Sequence, residues 1–140
     1  MKILLILLAL LPFNVSALNA YPGAYTLLPP LSRTTTTTSE VIHNAQSIKC
    51  GHVIVNVSAY TAGSITAHVQ GYVNATGTYY DLLVSPALTA TGTTVLKVCP
   101  GITAVANGAT ADFIPTQWQV QLVAADATPI TYSVSLELMQ

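Results

Sequence analysis

From Gly51 to Gln140 apolar and polar residues alternate along the chain with few interruptions. Alternation at period two sends successive side chains to opposite faces, so it predicts strands buried on one side only. Six segments carry it: His52–Tyr60, Ser64–Val73, Tyr79–Val84, Thr93–Cys99, Gln117–Ala124 and a final stretch from Thr131 to Gln140. The inward set comprises Val53, Val55, Val57 and Ala59 in the first segment and Ile65, Ala67, Val69 and Val73 in the second. Trp118, Val120 and Leu122 continue it in the fifth, and Tyr132, Val134, Leu136 and Leu138 in the last. Turn-forming residues separate the segments: Asn74 to Gly77, Ser85-Pro86, Pro100-Gly101, Asn107-Gly108 and Asp126 to Pro129. Short strands at this spacing, without a helical period, predict an all-β fold: an antiparallel two-sheet sandwich, jelly-roll-like. About twenty inward side chains, each contributing roughly 1.5–3 kcal/mol on burial, suffice for one such core.

Residues 18–38 read differently. Tyr21, Pro22, Tyr25 and the pair Pro29-Pro30 break regular alternation, and Thr34 to Thr38 is an uninterrupted threonine run. Proline pairs favour extended backbone and threonine favours strand over helix. The segment is expected to be an extended arm ending in an edge strand, with a flexible Thr-rich linker as the alternative. Ahead of it, Lys2 precedes an apolar run from Ile3 to Leu11, followed by Val15, Ser16 and Ala17. That is the order of a secretory signal peptide; a hydrophobic arm packed on a partner is the other reading. The run falls short of the about 20 apolar residues a bilayer span needs. The chain thus divides into an apolar segment 1–17, an arm 18–38 and a sandwich 39–140.

Charge narrows the partners. Charged residues make up 6% of the chain, against roughly 25% in an ordinary globular domain. Only Lys2, Lys49, Lys97 and Arg33 are positive, and the formal net charge is -1. No basic patch can form to neutralise nucleic-acid phosphates or to hold an anionic membrane surface. The outward positions carry Thr, Ser, Gln and Asn instead, a neutral surface suited to lasting contact with another protein.

Little chemistry is legible. Asp126 and Glu137 occupy solvated turn and outward-strand positions, and Asp112 fits a local Asx turn. Asp81, between apolar neighbours, is the one acid with an arguable binding role; otherwise it is an outward sheet residue. His43, His52 and His68 are the histidines, and opposite strand parity keeps His52 from meeting His68. No nucleophile elbow, phosphate loop or zinc-protease motif occurs, so neither enzyme activity nor a cofactor is expected. Cys50 and Cys99 fall on outward parity; with an export signal they allow one disulfide, and in a reducing compartment both stay thiols. Without a third or fourth ligand at metal spacing, no metal site is expected. Tyr60, Tyr72 and Tyr79 read as outward, either a sugar-stacking platform or cross-strand packing.

Tyr21 through Pro30, followed by Ser32, Arg33 and Thr34, resembles the opening of small structural proteins from tailed-phage head gene clusters. The resemblance continues through Ser64 to Thr66, Val69 to Gly71, Tyr80 to Leu83, Gly92 to Val98 and Pro100-Gly101. It closes with Ile114-Pro115, Trp118 and Thr131 to Val134, covering about residues 21–140. It implies a non-enzymatic virion component: a decoration or cement protein on the capsid exterior, commonly trimeric, that binds the major capsid protein. By the same resemblance Tyr21, Pro22, Tyr25, Leu27, Leu28, Pro29, Pro30 and Arg33 form the capsid-gripping arm. An apolar start and two cysteines depart from that pattern. They keep open an exported β-sandwich binding module, an adhesin or carbohydrate binder, secreted or on the cell surface.

Overall fold

The computed structural model describes residues 17–140, so the signal-peptide-like segment lies, Ala17 apart, outside the described residues. The strands in chain order are β1 (Ala17–Ala20), β2 (Gly23–Arg33), β3 (Thr37–Thr38), β4 (Val41–Asn44), β5 (Cys50–Ala59) and β6 (Ile65–Val73). They continue with β7 (Thr78–Val84), β8 (Gly92–Val98), β9 (Ala109–Thr110), β10 (Gln117–Ala124) and β11 (Ile130–Met139). One sheet runs β1-β4-β10-β6-β7, with β3 also on β10; the other runs β2-β11-β5-β8-β9. Set aside the short β1, β3 and β9, and number the remaining strands one to eight along the chain. Their sheet orders are then 2-7-4-5 and 1-8-3-6, the double Greek key of a jelly roll. All neighbours among these strands are antiparallel; the parallel contacts are β1 with β4 and β8 with β9.

All six alternating segments are strands, and most of their inward residues form the core; Val73, at the end of β6, is only half-buried and lies outside it. Trp118, Tyr132, Leu96, Leu122, Leu136, Val53, Val55, Val69, Val120 and Val134 are fully buried between the sheets, joined by Ile42 from β4. Ala59 departs from expectation and is exposed. The β5–β11 register slips at Ser58, and one extra residue in a strand reverses every face beyond it. The same slip brings Tyr60, expected outward, against the core, where its hydroxyl donates to the Gly63 carbonyl at 2.9 Å.

The expected arm is part of the sandwich. Strand β2 is extended, and it pairs along β11 from Arg33 opposite Ile130 to Gly23 opposite Leu138. Register shifts flank Leu28, leaving Pro29 and Pro30 in an irregular stretch of an edge strand. Prolines fit there because they have no N–H to give to a ladder. Leu28 is buried in the core, with Tyr25 and Leu27 packed against it. The sandwich therefore takes in β1, β2 and β3 as well as residues 39–140.

Two serines repair breaks in the larger sheet. Between β3 and β4, the Ser39 hydroxyl accepts the Val120 N–H at 3.0 Å and donates to the Glu40 carbonyl at 2.8 Å. After β7, the Ser85 hydroxyl accepts the Ala67 N–H at 2.9 Å and donates to the Pro86 carbonyl at 2.7 Å. Each also donates its own N–H back across the gap, Ser39 to Val120 and Ser85 to Ala67. The central strands β10 and β6 thus keep buried donors satisfied where their neighbours diverge.

Candidate functional site

Two regions bring polar side chains together, on opposite outer faces of the sandwich. The first is the outer face of the larger sheet. Asp81 on β7 accepts from Gln70 Nε2 at 2.9 Å and meets His68 Nδ1 at 3.1 Å. Gln119 on β10 donates to Gln70 Oε1 at 3.0 Å, and Gln121 donates to Thr38 Oγ1 at 3.3 Å. These links follow strand register, since Gln119 lies opposite Gln70 and Gln70 opposite Asp81. Among the described residues Asp81 is the sole formally charged side chain on the strands of this sheet. With both carboxylate oxygens engaged across the ladder, it acts as an outward sheet residue. At the end of the same face Tyr72 and Tyr79 pack at 5.0 Å between ring centroids, as cross-strand partners. Tyr80, on the opposite parity at the sheet edge, lies over Gly71, leaving no room there for a Cβ.

The second region is the end of the smaller sheet, where Cys50 and Cys99 are joined in a disulfide. Gly51 pairs with Val98, so the two cysteines stand one step further along the β5–β8 ladder. His52, two residues after Cys50, shares its outer face, and one of its ring nitrogens lies within 4.8 Å of both sulfurs. Lys97 stands opposite His52 on one side and Glu137 on the other. The place of His52 beside the two cysteines was not anticipated from the sequence. The signal was present in Cys50-Gly51-His52, because an i, i+2 pair in a strand faces one way. His68 sits on the other sheet, so the reason the two histidines do not converge is their sheets, not parity on adjacent strands.

The expected capsid-gripping residues are spread over β2 and the loop before it. Arg33 turns inward: its guanidinium donates to the carbonyls of Tyr132, Leu31 and Pro29 at 2.8, 3.1 and 2.9 Å. It also stacks over the Tyr132 ring at 4.6 Å. Those donors hold the irregular part of β2 to β11. Tyr25 is also used locally, its hydroxyl bridging the N–H and carbonyl of Tyr21 at 2.9 Å each. Tyr21, Pro22, Pro29, Pro30 and Leu31 remain exposed along this edge.

The remaining acids are local. Asp112 accepts the Phe113 N–H at 2.7 Å, and Asp126 accepts the Thr128 N–H at 2.8 Å. The Thr128 hydroxyl and then its N–H hold the Asp126 carboxyl below the usual carboxylate range. Surface hollows of about 290 Å³ beside Asn19, His43 and Asn44, and of about 390 Å³ beside Thr26, Ile54 and Glu137, gather no acid–base pair. Comparison with protein-family models, with curated proteins and with solved structures finds no match.

Proposed function

We propose that this chain is a non-enzymatic structural protein of a phage particle, binding the major capsid protein and stabilising the shell from outside. One observation carries the reading: the strands of the six-stranded sheet hold a single charged side chain, Asp81, already engaged by His68 and Gln70. A sheet face left in water ordinarily carries Lys and Glu, which keep a protein soluble and protect its edges. A face of cross-linked Gln, Thr and Tyr costs less to desolvate and offers fixed amide donors and acceptors to a neighbouring subunit. The exposed β2 edge, with Tyr21, Pro22, Pro29, Pro30 and Leu31, supplies the second contact, as a fixed strand and not as a loose arm. Copies of the chain cluster around a capsid symmetry axis, as trimers. The test is quantitative mass spectrometry of purified virions. The protein should occur in a stoichiometry set by capsid symmetry, and its absence from virions would refute the proposal.

The Cys50–Cys99 disulfide specifically favours a second reading, an exported binding module such as an adhesin or carbohydrate binder, because disulfides persist in oxidising compartments. That reading requires cleavage near Ala17 and an oxidised cysteine pair in native protein. An intact Met1 start with free thiols would eliminate it.

A further inference from the structure

We propose that the Cys50–Cys99 corner is a redox-gated metal site: once the disulfide is reduced, Cys50, Cys99 and His52 bind one zinc ion. The ligand atoms of these three residues already lie within 4.8 Å of one another. In a tetrahedral zinc site, Zn–S bonds of about 2.3 Å and Zn–N bonds of about 2.1 Å place the ligand atoms roughly 3.4–3.8 Å apart. The two sulfurs are bonded in the oxidised form, so after reduction rotation about the cysteine side-chain bonds, on a fixed backbone, opens them to about 3.8 Å, the spacing of two thiolates on one tetrahedral zinc. The backbone is fixed because Cys50 and His52 share one face of β5, while Cys99 continues β8, the strand laddered to β5. Two thiolates and one imidazole are a donor set that zinc favours. Their charges sum to zero with the ion, so neighbouring Lys97 does not oppose binding. Glu137, across from His52 on β11, is placed to orient the imidazole from outside the ligand shell, as carboxylates do at zinc sites. Water completes the coordination.

The chemistry balances with a dithiol as reductant. The disulfide takes two electrons and two protons from the dithiol, giving the Cys50 and Cys99 thiols and a cyclic disulfide. Zinc then displaces one proton from each thiol and binds the neutral imidazole nitrogen. Oxidation by a disulfide-forming reagent expels the ion and restores the Cys50–Cys99 bond. The site stands whether or not the chain is a virion component.

The experiment uses the full-length chain, reduced with a dithiol, freed of reductant without air, and titrated with Co²⁺ and then Zn²⁺. Reduced protein should show a thiolate-to-cobalt charge-transfer band saturating at one ion per chain and abolished by Zn²⁺. Oxidised protein should show none. His52→Ala, an outer-face change, should keep the β-sheet signal and weaken zinc binding at least about 10-fold; Cys99→Ser should remove the band. Should reduction itself loosen the fold, Zn²⁺ should restore the β signal. No cobalt band from reduced protein with two free thiols, no zinc-driven recovery of a loosened fold, or wild-type affinity in His52→Ala would each overturn the proposal.

Discussion

Replacing Ser85 with alanine tests how the larger sheet tolerates its interruptions. The Ser85 hydroxyl is the acceptor for the N–H of Ala67 at 2.9 Å, and Ala67 is completely buried on central strand β6. The substitution removes the acceptor and leaves the donor where water cannot reach it. The Pro86 carbonyl, which loses a donor, belongs to an exposed residue and can turn to solvent. A buried donor left unpaired costs about 1–3 kcal/mol, whereas an exposed hydroxyl contributes far less. With a urea slope of about 1.5 kcal/mol/M, Ser85→Ala should lower the unfolding midpoint by roughly 0.7–2 M without changing the slope. Ser58→Ala is the control, because Ser58 is exposed and its hydroxyl reaches the Thr131 carbonyl only at 3.4 Å; it should stay within about 0.5 kcal/mol of wild type. Ser39→Ala, which strips the acceptor from Val120, should match Ser85→Ala. Equal midpoints for Ser85→Ala and Ser58→Ala would refute the reasoning, since Ala67 must then have another acceptor.

Gly71→Ala should destabilise by about 1–3 kcal/mol, because an added Cβ would stand 2.8 Å from the Tyr80 ring and 2.9 Å from Pro115 Cγ; thermal melting of the variant with and without Tyr80→Ala, which should relieve the Tyr80 part of the clash and leave that with Pro115, checks it. The Asp126 carboxyl is held below its ordinary range by Thr128, so its contribution is present above the unfolded-state value and is lost as pH falls through the lower folded value. Melting temperatures of wild type and Asp126→Ala should therefore differ at neutral pH and converge in acid. Reducing the disulfide, which closes a separation of 49 residues, should lower stability by up to about 4 kcal/mol in metal-free buffer, read from urea midpoints with and without a dithiol.

Alternation made six strands legible because each buries one face and exposes the other. Alternation reports the face and not the sheet: it separates His52 from His68 by parity, whereas the two stand on different sheets. Faces also go wrong where a bulge intervenes. Ala59 and Tyr60 exchange sides at the Ser58 slip, and that slip is set by pairing with Thr131 and Tyr132, far along the chain. Strand β2 was legible as extended chain but not as part of the sandwich, for a related reason: Pro29 and Pro30 break its pattern, and its partner β11 begins almost a hundred residues later. Its membership shows only through the buried Leu28 and the Arg33 donors spent on Tyr132. The Ser39 and Ser85 repairs were visible as residues but not as roles, since a hydroxyl becomes a strand acceptor only once the neighbouring strand has turned away.

The two outer faces make different demands on the surroundings, and that difference orders the functional readings. Among the described residues the larger sheet's amide and hydroxyl ladder contains no thiol and no metal-ligand cluster, and its one acid is engaged within the ladder. A contact made through it works equally in a reducing or an oxidising compartment. The Cys50–Cys99–His52 corner does not share that indifference. In an oxidising compartment its disulfide adds a covalent tie to the β5–β8 ladder; in a reducing one the proposed zinc ion would take that place. A capsid protein assembled in the cytoplasm and an exported module can therefore share this fold and these outer faces. They differ in the redox state of Cys50 and Cys99, so a measurement of that state in native protein separates them more sharply than any property of the sheet.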